Sequence, residues 1–135
     1  MAQILAYSGT LPLILCLLAS HLHIAGLDTH WIAGAYSAVI ISFVSGIHWG
    51  VYLFFAEKCP RNLLLTSNMI ALLAWYSLML QGHVIPFLLQ ASCFLYLLTL
   101  DLKLYTDEVL PEWFYALRRN ATVIVILTLS ALMVV

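Results

Sequence analysis

Few side chains in this sequence can do chemistry, and those that can occupy unusual places. The stretch Ser45-Gly46-Ile47-His48-Trp49-Gly50 sets one histidine deep inside an apolar run. An imidazole there can carry a proton, ligate haem or a metal, or hydrogen-bond a ligand. It is costly to place against hydrocarbon, so His48 should face a helix bundle or a cavity. Asn68 and Asp101 fall at similar depth in later apolar runs, and Arg118, Arg119 and Asn120 open the last one. Two readings stand. Neighbouring helices satisfy these groups one by one, or His48, Asn68, Asp101 and one of the two arginines line a cavity, with Trp49 beside them. Asp101 with Arg118 or Arg119 is the natural ion pair, because unpaired charge is expensive there. Gln90 lies eleven residues before Asp101, close to whole helical turns, and so shares its face.

A second group is histidine-rich. His21, His23, His30 and His83 fall beside breaks in the apolar pattern. They could bind copper or zinc, or sit at an interface without metal, since a metal site needs defined geometry. Cys16, Cys59 and Cys93 are scattered without C-x-x-C spacing, which argues against a disulfide framework or a zinc site. No G-x-S-x-G, H-E-x-x-H or phosphate-binding glycine loop is present, so no nucleophile or metalloprotease arrangement stands out. Asp107 and Glu108 are adjacent and point apart, which argues against a catalytic acid pair.

The elements that must position these residues are read from composition. The chain has 135 residues, with five Lys or Arg, six Asp or Glu, and 64% apolar residues. A soluble domain carries about 25% charged residues; this chain carries 8%. That excludes a soluble globular domain, a disordered chain and a nucleic-acid binder, which needs a basic patch. It predicts an all-α, polytopic membrane protein, with membrane lipids as its surroundings. Five stretches suit helical spans: residues 3–22, 29–56, 62–80, 84–105 and 111–135. Gly26-Leu27-Asp28-Thr29 offers a helix stop and then an N-cap, and Asn62 caps the third span. Pro12 should kink the first span, because it removes the hydrogen bond to Ser8. Pro111 suits the first turn of the last. Both tails end in spans, so one domain over residues 1–135 is expected, without a soluble module.

Lys58 and Arg61 lie in the second connection, and Lys103, Arg118 and Arg119 flank the fourth. With five spans these share one side, which should be cytoplasmic. The N-terminus is then cytoplasmic and the C-terminus outside. No basic n-region precedes the first span, so it reads as a retained span of a protein in the bacterial inner membrane. In the second span Gly34, Ala38, Ser42, Gly46 and Gly50 form a ladder of small residues four apart. Such a face admits another backbone closely, either within the monomer or across a homodimer seam.

The sequence also resembles an uncharacterised bacterial and mitochondrial membrane protein family that includes transmembrane protein 69. The resemblance rests on Gly9-Thr10-Leu11-Pro12, the run from Ser42 to Gly50, Ala74-Trp75, Gln90 with Asp101, and Pro111-Glu112-Trp113-Phe114 leading to Arg118. Ser45 stands where a glycine is expected. The resemblance implies a five-helix fold in an energy-transducing membrane and implies no reaction or cofactor. Three functions are compatible with these residues. The first is a non-enzymatic protein that binds a lipid, a quinone or a larger membrane complex as a stabilising factor. The second is a redox protein that holds haem through His48 or metal through the outer histidines. The third is a proton-coupled transporter or membrane enzyme using His48 and Asp101.

Overall fold

The computed structural model describes residues 1–135 and contains only helices and turns. The helices are α1 (Ala2–Ser8), α2 (Leu11–His21), α3 (Thr29–Phe55), α4 (Leu63–Ser77), α5 (Val84–Thr106) and α6 (Glu112–Val134). A 3₁₀ turn, Ala56–Lys58, extends α3. Four stretches are long and apolar enough to cross a membrane: Ala2–His21, Thr29–Lys58, Val84–Thr106 and Glu112–Val134.

The third expected span is shorter than its apolar run. α4 stops at Ser77, a helix of 15 residues, or about 22 Å at 1.5 Å per residue. The amides of Leu78, Met79 and Leu80 bond back three residues, to Trp75, Tyr76 and Ser77. The chain thus tightens into turns before Gly82, which reverses it at φ +77°. Leucine and methionine carry the apolar pattern three residues past the helix, which is why composition overshoots the helix end.

The first span is broken as Pro12 requires. The Thr10 amide bonds to Tyr7, three residues back, and α2 restarts with proline in its first turn. The Gly9 carbonyl, freed from the helix ladder, accepts the Tyr36 hydroxyl of α3 at 2.8 Å. A neighbouring helix thus satisfies one carbonyl at the break, as membrane helices require. Two of the other connections use side-chain caps. Asp28 Oδ1 accepts the Trp31 amide at the start of α3. Asn62 Oδ1 accepts the Leu64 and Leu65 amides at the start of α4.

Helix α3 packs on α2, α4 and α5, and α5 on α4 and α6; α6 closes the ring onto α1 and α2. The main core gathers Leu13, Ile41, Phe87, Phe94, Leu97 and Leu129, among others. The outside is as apolar as the inside: Phe43, Phe54, Leu65 and Leu127 are all exposed. The interior holds buried Ser37, Ser45, His48, Gln90, Asp101 and Thr122. Apolar outside with polar groups turned in is the arrangement a hydrocarbon solvent selects.

The ladder of small residues divides. Gly34 and Ala38 are buried, whereas Ser42 and Gly46 are exposed and Gly50 is half-buried. A Cβ on Gly34 would meet Phe87 Cε1 at 3.6 Å, whereas one on Gly46 or Gly50 would meet nothing within 4 Å. Four residues turn an α-helix through about 400°, so a four-residue ladder drifts by roughly 40° per step. Across its full length it leaves the interior, and only its first two members pack inside the bundle.

Candidate functional site

Three helices bring one charged cluster together. His48 stands seven residues before the end of α3, Asp101 five before the end of α5, and Arg118 six after the start of α6. At 1.5 Å per residue all three lie about 7–11 Å from the same end of the bundle. His48 Nε2 donates to Asp101 Oδ1 at 2.7 Å, and Arg118 Nε donates to Asp101 Oδ2 at 3.1 Å. Asp101 and His48 are each 1% exposed. One carboxylate therefore holds two donors, one on each oxygen. Of the remaining nitrogens, His48 Nδ1 and Arg118 Nη2 are buried without a hydrogen-bond partner.

The two consecutive arginines part company. Arg118 turns inward, and Arg119 is exposed and bonds only its neighbour Asn120. About 100° separates adjacent residues on a helix, so only one of the two can face the bundle. Asn68 does not join the cluster: it is exposed on α4, and its neighbour Ser67 is the buried residue. Trp49 is also exposed, on the outer face of α3 next to buried His48. Both departures come from helical phase, which depth in a span does not reveal.

Gln90 shares the face of Asp101, as the eleven-residue spacing requires, but lies about 16 Å away along α5. Its Nε2 donates to the Gly34 carbonyl and to Ser77 Oγ, each at 2.9 Å. It ties α5 to α3 and α4 and forms a separate station. Near it, a cavity of about 390 Å³ opens among Asp28, His30, Ser77, His83 and Phe87.

The four outer histidines do not assemble. His30 and His83 lie together, ring centroids 4.5 Å apart, and His30 Nε2 faces the Leu132 carbonyl at 3.1 Å. His21 and His23 are exposed, and His23 Nδ1 bonds the His21 carbonyl. No three His, Cys, Asp or Glu side chains converge on one point. His48 Nε2 is engaged by Asp101, and the ring is buried.

A second cavity, about 350 Å³, adjoins the charged cluster and went unseen in the sequence. It is walled by α1, α3 and α6 and floored by Phe94 of α5; Leu5, Ile47, Phe114 and Val125 make it apolar. Arg118 and Thr122, one turn apart on α6, are among its lining residues. Thr122 is 1% exposed, and its hydroxyl has no hydrogen-bond partner. Several other helical hydroxyls bond their own backbone, as Thr128 does to Ile124 and Ser77 to Ala74, whereas Ser37 Oγ on α3 shares the lack of a partner. The Gly9-Thr10 break before Pro12 is the one sequence signal for this site, because Gly9 and Thr10 also line it.

A family model described as a protein of unknown function (DUF3429) matches residues 1–134. Transmembrane protein 69 of Xenopus tropicalis is 32% identical over 103 residues, which covers 70% of this chain and 38% of that protein. The chain thus spans less than two-fifths of that relative's length. No solved structure matches.

Proposed function

The chain belongs to the DUF3429 family of membrane proteins of unknown function, and on that premise we propose that it binds a hydrophobic ligand, lipid or quinone, inside its helix bundle. The observation that carries this reading is the apolar cavity between α1, α3 and α6, with Arg118 and Thr122 among its walls. At about 350 Å³ it falls in the range of small-molecule sites, roughly 300–1,000 Å³. Its wall on α1 contains no buried residue, so a single helix separates the cavity from surrounding lipid.

The same reading sets five spans in a bacterial inner membrane, with α4 and its following turns as the short third span. Lys58, Arg61, Lys103, Arg118 and Arg119 all lie where α3 and α5 end and α4 and α6 begin. That end faces the cytoplasm by the positive-inside rule. A short span is accommodated by local thinning of the bilayer.

Native mass spectrometry of protein extracted in mild detergent tests the reading. A small hydrophobic molecule is expected on the wild type and lost from Ala6→Phe and Ala121→Phe, which fill the cavity from two helices. A wild type without bound molecules, or variants that retain them, overturns the proposal. A second copy or another membrane protein in the spectrum, in place of a small molecule, would mark an assembly role instead.

A further inference from the structure

We propose that the ligand carries a neutral carbonyl head, and that Thr122 Oγ1 and Arg118 Nη2 are the donors that read it. This rests on the cavity reading above and adds the chemistry of the head group. Both atoms belong to residues that line the cavity, and both are buried without a hydrogen-bond partner. They sit one helical turn apart on α6, so their side chains share one face and can converge on one acceptor. A buried hydroxyl or guanidinium nitrogen with no partner is destabilising, and a ligand acceptor relieves both at once.

Charge selects the type of acceptor. Arg118 is already neutralised by Asp101, which it meets at 3.1 Å with Asp101 only 2% exposed in its side chain. The other charge-capable group on that carboxylate is His48, at 2.7 Å. The Asp101–Arg118 pair sums to zero. A carboxylate or phosphate head would add an uncompensated negative charge to a site buried in hydrocarbon, which is strongly disfavoured. A ketone, quinone or ester oxygen accepts the same two hydrogen bonds without adding charge. The rest of the lining is apolar and suits an alkyl or isoprenoid tail.

Quinones and neutral ester lipids share this chemistry, and calorimetric titration of the detergent-solubilised protein separates them. The probes are decyl-ubiquinone, monodecanoyl glycerol, decanoate and decane, against wild type, Thr122→Val and Ala6→Phe. Thr122→Val keeps the side-chain volume and removes a hydroxyl that holds no bond in the fold, so the protein should remain intact. One carbonyl probe is expected to bind more tightly than decane and decanoate. Thr122→Val should weaken that probe by about fivefold, as the loss of one hydrogen bond implies, and leave decane unchanged. Tighter binding of decyl-ubiquinone would identify a quinone, and of monodecanoyl glycerol an ester lipid. Decanoate binding most tightly, or Thr122→Val leaving every affinity unchanged while Ala6→Phe abolishes binding, overturns the head-group assignment and spares the cavity. Failure of all four probes on wild type overturns the cavity itself.

Discussion

Replacing Asp101 with asparagine removes the charge on which three helices meet. The carboxylate accepts from His48 Nε2 at 2.7 Å and from Arg118 Nε at 3.1 Å, and it is almost wholly buried. The substituted amide would present one acceptor oxygen to two donors and turn its own amide protons toward the other. Arg118, whose side chain is 11% exposed, would keep its charge with no counter-ion. Breaking a buried pair by removing one partner costs about 3–5 kcal/mol. The asparagine retains one hydrogen bond, which places this variant near the lower figure. Adding Arg118→Met removes the stranded cation and keeps the side chain's length and apolar contacts. The double variant should then lie within about 1 kcal/mol of wild type, since replacing both members of a buried pair is often near neutral. The assay is reversible unfolding in dodecyl maltoside with increasing sodium dodecyl sulfate, followed by circular dichroism, for wild type, both single variants and the double. A single-variant loss below about 1 kcal/mol, or a double that loses the sum of the two singles, refutes the argument that Asp101 is the shared counter-ion.

Gln90→Leu removes the bonds to Gly34 and Ser77 and should cost about 1–2 kcal/mol in the same assay, since interhelical hydrogen bonds in membranes contribute about 0.6 kcal/mol on average and up to about 1.7. Gly34→Ile should cost about 1–3 kcal/mol by overpacking against Phe87, whereas Gly46→Ile on the open face should stay within about 0.5 kcal/mol; a large loss at Gly46 would mean that a second copy packs there. Cys59 lies in the connection after α3, where burial, and secondarily Asp107, push its thiol up. Only the thiolate reacts, so a raised value lowers the reactive fraction at neutral pH, and labelling by a membrane-impermeant maleimide should still be accelerating above about pH 9. In right-side-out vesicles Cys59 should be protected and in inverted vesicles accessible; the reverse pattern would overturn the orientation.

Helix existence was legible because apolar runs of about twenty residues have few alternatives in this composition. Caps at Asp28 and Asn62 and the break before Pro12 were legible because each follows from one local hydrogen bond. The end of α4 was not, since Leu78, Met79 and Leu80 are as apolar in turns as in a helix. Depth brought His48, Asp101 and Arg118 to one level of the bundle. It could not say that Asn68 and Trp49 face outward, because hydropathy is nearly uniform around these helices and carries no phase. The ladder from Gly34 to Gly50 divides for a related reason: a spacing of four drifts around the helix, and a stripe that long cannot stay on one side of the bundle. The cavity beside Arg118 arises from three helices that are distant in sequence, and only the Gly9-Thr10 break hinted at it.

The partners of Asp101 differ in how far away they lie along the chain. Arg118 follows it by 17 residues, across a single connection, whereas His48 precedes it by 53. During membrane insertion α5 and α6 therefore emerge as a hairpin that already contains its own counter-charges. Each charge alone would oppose entry, by up to about 2.5–3.5 kcal/mol for a charge at the helix centre; together they enter as a neutral unit. The cluster is completed when the hairpin docks on α3, so the carboxylate that closes the site is also what lets its last two helices leave water.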